Sequence, residues 1–284
     1  MFFFRLFSKL PFFVLYAFAD LLAFIAFRLV RYRYTVVFEN MTKSFPEKTH
    51  KEIRQLAKQF YHHMADWMIE TLKALSMSEQ TLKERVIFKN TKSLQQLLQE
   101  KKSLIVLTAH QFNWEWVLLS GNLTFGLPID AIYMPVSNPT VEKLLLAIRS
   151  RFGGLPIPKD QTLPTIVKRI KEQRMIAMVA DQRPAQDIPD KYWTTFLHQD
   201  TAFYMGTESL PKLTRLPVFF MATRKIKRGY YEVTIEKLAE PPYQYQQKEI
   251  LPAYIHRVED LIKEHPDNWL WSHNRWKYGK GAYD

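Results

Sequence analysis

Hydrophobic and polar positions change rhythm twice along the chain. Residues 10–27 form an apolar run of 18 residues broken only by Asp20, at the lower length limit for crossing a bilayer and equally suited to a helix lying in the lipid interface. Arg5 and Lys9 precede it, and Arg28, Arg31 and Arg33 follow, so positive charge flanks both ends and selects no orientation. Ala17-Phe18-Ala19 resembles a signal-peptidase site, but the apolar run continues to Phe27, further than a cleaved leader needs. The pattern predicts an uncleaved membrane anchor over residues 1–35 and one domain of catalytic size over residues 36–284, with no repeat or low-complexity tract between them.

Residues 37–46 read as a loop. Thr49 then caps a helix running to about Leu75, with Ile53, Ala57, Phe60, Met64 and Trp67 at helical spacing on one stripe. His62 and His63 on that helix read as surface or packing residues, because no third metal ligand stands at a suitable offset. Beyond it the rhythm shortens. Residues 103–108, 129–134, 175–180, 217–223 and 230–236 are brief apolar or β-branched runs of the kind that form buried strands, separated in part by helical stretches near 113–122, 139–151 and 163–174. Such alternation predicts an α/β domain with helices on both faces of a sheet.

Composition narrows the partners. Lys and Arg number 40 against 28 Asp and Glu, a net charge of +12, and 14% of the chain is aromatic, a balance that favours a polyanion or an anionic lipid surface. No zinc-finger spacing, aromatic RNA-binding motif or basic heptad array is present, so no nucleic acid partner is expected. The absence of cysteine excludes disulfides, thiolate metal sites and a cysteine nucleophile. The sequence also lacks G-x-x-x-x-G-K, G-x-G-x-x-G, H-E-x-x-H and G-x-S-x-G, so neither a metal nor a nucleotide cofactor nor a serine elbow is expected.

Four constellations carry the candidate chemistry. His110 leaves the 103–108 strand and is followed by Glu115; carboxyl ends of strands are where α/β sheets gather reactive groups. If His110 sits in the turn and Glu115 in the first helical turns after it, the carboxylate can accept Nδ1–H and leave Nε2 as a general base. Asp181 follows the 175–180 strand and should open onto the same crevice, or else caps a turn before Pro184. Asn138-Pro139 starts a helix bearing Arg149 and Arg151 ahead of Gly153-Gly154; an arginine fork there suits phosphate or carboxylate, or is simply solvated. The segment 265–277, HPDNWLWSHNRWK, either faces a membrane with its tryptophans or packs onto the core.

Taken in order, the apolar N-terminus, ENMTKSFPEKT before a helix containing Glu70, H-x-x-x-x-E after a strand, Asn-Pro followed by Arg, Asp after a strand, and WLWSHNRWK resemble the late acyltransferases of lipid A biosynthesis, a branch of the lysophospholipid acyltransferase superfamily. The resemblance covers nearly the whole chain. It implies an α/β fold with a mixed central sheet flanked by helices, preceded by a membrane-anchoring helix. It implies transfer of a fatty acyl group from an acyl carrier protein thioester to a hydroxyl of a lipid A precursor, at the cytoplasmic face of a bacterial inner membrane. Carried over by position, His110 is the base, Glu115 its orienting acid, and Arg149 and Asp181 lie near the acceptor or the histidine. The alternative acceptor is another lipid, a lysophospholipid or an aminolipid. The acidic donor or anionic lipid heads would meet the basic clusters Lys168-Arg169-Lys171-Arg174 and Arg224-Lys225-Lys227-Arg228. One departure stands out: where relatives carry a glycine-containing F-F-G type segment, this chain reads Phe196-Leu197-His198, with His198 in what the resemblance makes an acceptor-side loop.

Overall fold

In a computed structural model, which describes residues 2–279, the strands of the sequence reading join into one seven-stranded sheet. The N-terminal helices are α1 (Phe2–Ser8) and α2 (Phe12–Phe24), the latter continued by a π turn over Ile25–Leu29. Then come α3 (Tyr34–Ser44), α4 (His50–Lys73), α5 (Glu79–Arg85), β1 (Val86–Lys89), α6 (Lys92–Gln99), β2 (Leu104–Thr108), α7 (Trp114–Phe125) and β3 (Ile129–Tyr133). The chain continues through α8 (Pro139–Arg149), β4 (Gly154–Pro158), α9 (Thr162–Arg169), β5 (Met175–Val179), the hairpin β6 (Lys191–Phe196) and β7 (Gln199–Tyr204), α10 (Gly206–Thr214), β8 (Val218–Lys227), β9 (Tyr230–Ala239) and α11 (Ile250–Glu264).

The main sheet runs β1-β9-β8-β2-β5-β3-β4; only β8 against β9 is antiparallel, which makes the sheet mixed. Its two faces bury separate cores, as alternation along a strand requires. On β2, Ile105 and Leu107 join Phe60, Met64, Tyr254 and Val258 on one side, while Leu104 and Val106 join Trp116, Leu119 and Ile148 on the other. α4 and α11 cover the first face, and α7 and α8 the second. The sheet therefore has helices on both faces, as the strand and helix rhythm predicts.

Several elements have a local cause that the sequence states. Thr49 and Glu52 form a complete capping box at the start of α4, and Asn138 accepts from the amides of Thr140 and Val141 with Pro139 in the first turn of α8. Others differ from the reading. Residues 37–46, expected as a loop, belong mostly to α3, because Val37, Met41 and Ser44 bury one helical stripe and the buried Asn40 donates to the carbonyls of Trp271 and His273. Strand β4 was hidden by Pro156 and Pro158, which the outermost strand of a sheet tolerates. Gly154, at its start, passes so close to the end of α8 that a Cβ there would lie 2.0 Å from the Arg149 carbonyl oxygen.

Candidate active site

The register of two neighbouring strands builds the centre of the site. β2 and β5 are parallel, with Thr108 opposite Val179, so His110 and Asp181 each stand two residues beyond a paired strand end. They meet there. His110 Nδ1 lies 2.6 Å from Asp181 Oδ1, and the His110 backbone amide donates to Oδ2 at 3.0 Å. Trp269 Nε1 donates to the same Oδ2 at 2.6 Å. Burial works to raise the fully buried Asp181 carboxyl, but the facing His110 and these donated hydrogen bonds hold it below the usual carboxylate range. An ionised acceptor on Nδ1 makes that nitrogen the N–H tautomer and leaves Nε2 with its lone pair.

Glu115 does not take the part expected of it. It sits in the first turn of α7, whose N-cap Asn113 accepts from the Trp116 amide, and its carboxylate is engaged by Arg149 rather than by His110. Arg149 Nε donates to Oε2 at 2.9 Å and its Nη2 to Oε1, a two-point fork, and Trp114 Nε1 adds a bond to Oε1 at 3.1 Å. The helical turn aims Glu115 at α8, away from the histidine that precedes it by five residues. The site thus contains two pairs, His110 with Asp181 and Glu115 with Arg149, and Trp114 stands between them with its ring centroid 5.0 Å from that of His110.

His110, Glu115 and Arg149 open on one cavity of about 1230 Å³, whereas Asp181, expected on the same crevice, is fully buried behind His110 and does not line it. His110, Trp114, Glu115, Arg149 and Arg183 line it together with an apolar interior that includes Val106, Val117, Gly121, Ile129, Met175 and Met221. Residues from both faces of β3 and β5 contribute, Ile129 and Ala131 from one and Ile132 and Met178 from the other, so the cavity reaches over the strand ends.

The segment 265–277 closes the back of the site, its tryptophans packed onto the core. Trp269 and Trp271 are buried, and Gln111 bridges to Trp269 in antiparallel fashion. The Leu270 amide donates to the His110 carbonyl at 3.1 Å. His273 lines the cavity and accepts from the Arg183 amide on Nε2 at 3.2 Å; burial and the charge of Arg275 push it down to about 3, so it is neutral. One supporting residue left no trace in the sequence pattern: the Tyr254 hydroxyl of α11 donates to the Thr108 carbonyl and accepts from the Ala180 amide, tying the ends of β2 and β5.

The remaining candidates lie away from the two pairs. Arg151 donates to the Ala74 and Met77 carbonyls behind α4. His198 is the exposed second residue of the two-residue β6–β7 turn, with φ of 64°, and does not line the cavity. The basic clusters are largely neutralised within the fold: Arg169 and Arg174 share Asp130, Arg224 pairs with Glu232, Lys225 with Asp66, and Arg228 with Asp20 and Asp66. Among the described residues no group of three His, Asp or Glu converges as a metal-ligand set.

The sequence profile of the bacterial lipid A biosynthesis acyltransferases matches residues 1–278. The chain belongs to this family. It is 22% identical over 276 residues to a lipid A biosynthesis lauroyltransferase of Escherichia coli K12, covering 95% of this chain and 87% of that one. It is also 22% identical over 239 residues to a lipid A biosynthesis acyltransferase of Haemophilus influenzae, covering 82% and 72% respectively. The protein is accordingly an acyltransferase enzyme with a lipid A biosynthesis assignment at family level, and its fold is the mixed α/β sheet that the resemblance implied.

Proposed function

We propose that the protein moves a fatty acyl group from an acyl carrier protein thioester to a hydroxyl of a lipid A precursor, working from the cytoplasmic face of a bacterial inner membrane. The observation that carries the chemistry is His110 held through Nδ1 by Asp181 at the wall of the large apolar cavity. His110 Nε2 takes the proton of the acceptor hydroxyl as that oxygen bonds to the thioester carbonyl carbon. The tetrahedral intermediate collapses by breaking the C–S bond, and the imidazolium returns the proton to the leaving thiolate, giving an ester and a free thiol. Asp181 stabilises the imidazolium between those two events. The orienting acid is therefore Asp181, in place of Glu115.

Glu115 fixes Arg149 as a cation in the cavity wall, a group of the right kind for a substrate anion or the developing oxyanion. The apolar interior suits the acyl chain. No covalent acyl-enzyme is needed, in keeping with a chain that has no cysteine and a site built on histidine.

The test is mass spectrometry of lipid A, phospholipid and aminolipid fractions from cells with the intact gene, without it, and with His110→Ala. One acyl chain missing from lipid A in both altered strains is the expected result. An acyl chain missing only from another lipid fraction would move the same chemistry to that acceptor, and no lipid change in either strain would sink the proposal.

A further inference from the structure

The length of the apolar N-terminal run permits a helix across the bilayer or one along its surface, and the packing of α2 separates the two. α2 and its π turn run antiparallel along α4. At one end the Leu10 carbonyl accepts from Lys73 Nζ at 2.9 Å; next, the Tyr16 hydroxyl donates to Glu70 Oε1 at 2.9 Å; further on, Asp20 lies 3.6 Å from His62 Nδ1; at the far end the Phe27 ring packs on Tyr61. Leu15, Ala19 and Ala23 seat on Ala65 and Ile69 between these links. The β8–β9 turn meets the same stretch, since a Cβ on Gly229 would come within 2.1 Å of the Tyr16 hydroxyl. Arg228 beside it binds both Asp20 and Asp66, and Lys225 also binds Asp66.

A spanning α2 would therefore carry its neighbours with it. Asp20, Arg228, Asp66 and Lys225 stand opposite the middle of the apolar run, which would place four charged side chains and a β-turn near the centre of the hydrocarbon, where ionised groups and irregular backbone are most costly. An ordinary core helix is equally excluded, because only 22% of residues 12–29 are buried. The face turned away from α4 exposes Phe13, Phe18, Leu21, Leu22 and Phe24. Exposed cations bracket that face, Arg5 and Lys9 before it and Arg28 and Arg31 after it. α1 folds back on α2 through Phe7 and Phe18, whose ring centroids are 5.3 Å apart, so the N-terminus is a helical hairpin laid on the domain.

We infer that α2 lies in the plane of the membrane as a monotopic contact, its aromatic face sunk among acyl chains and its basic ends on anionic headgroups. This rests on the membrane association proposed above and decides its geometry. The occupant of the exposed face is an anionic lipid surface, matched by apolar side chains between clusters of positive charge.

The absence of cysteine allows a direct test. Lys9→Cys, Val30→Cys and Glu100→Cys, each a single thiol at an exposed position, are made in the full chain and reconstituted in sealed vesicles of phosphatidylethanolamine and phosphatidylglycerol. A membrane-impermeant maleimide is expected to label Lys9→Cys and Val30→Cys from the same side as Glu100→Cys. Labelling of positions 9 and 30 from opposite sides would overturn the inference. Flotation of the same samples keeps this failure distinct from failure of the membrane reading, which a protein that leaves the vesicles would show. Phe13→Ser with Phe24→Ser should weaken vesicle binding by about tenfold or more with an unchanged unfolding midpoint, and unchanged binding would also count against an in-plane helix.

Discussion

Asp181 receives three hydrogen bonds, from the ring and the amide of His110 and from Trp269, and each limits the freedom of the histidine that would do chemistry. Removing only the negative charge isolates its contribution. Asp181→Asn keeps the size of the side chain but no longer stabilises the imidazolium, and an amide can present N–H where an acceptor is needed. The expected result is a fall in kcat of about 10⁴-fold with KM changed little, by analogy with other acid-oriented histidines. Measurement of both constants with a thioester donor checks it; an equal loss through KM alone would make Asp181 a binding residue. The sequence contained both candidate acids after strands, and its preference for Glu115 followed proximity along the chain. What decides the matter is that β2 and β5 are neighbours in register, a long-range fact that no local pattern carries.

Legibility at the scale of elements followed burial. Strands β2, β3 and β5 stand out as apolar runs because both of their faces are covered, and α4 through its stripe and capping box. The edge strands β1 and β4 and the β6–β7 hairpin do not, since their side chains alternate or include proline. The hairpin turn explains the departure at His198. Leu197 and His198 both have positive φ, 49° and 64°, the backbone of a tight two-residue turn that favours glycine or asparagine. A glycine would meet that conformational demand, and His198 bears a strain that its exposed ring does not offset. His198→Gly should raise stability by about 0.5–1 kcal/mol and leave acyl transfer unchanged. Chemical denaturation and a standard activity measurement check the two halves separately.

For the whole molecule, two half-buried histidines set a direction of pH dependence. His63, on α4, is pushed down to about 4, chiefly by burial with Lys225 nearby, and His273 to about 3. An unfolded chain binds protons at both near pH 6.5, whereas the folded chain refuses them until about pH 4 or below. Their contribution to stability is complete above pH 6.5 and is lost as pH falls through the window below it. For His63 the loss between pH 7 and pH 5 is about 2 kcal/mol, so the stability difference between wild type and His63→Gln should shift by about that amount. Urea unfolding of both proteins at the two pH values measures it; a constant difference would show that His63 titrates normally in the fold.

The bonds from Trp269 to Asp181 and from Leu270 to His110 have a consequence in time. Synthesis delivers His110 and Asp181 with their strands before residues 269 and 270, the two groups that lock the pair. The His110–Asp181 pair therefore stays unlatched until a segment made well after both of its strands has folded back onto it.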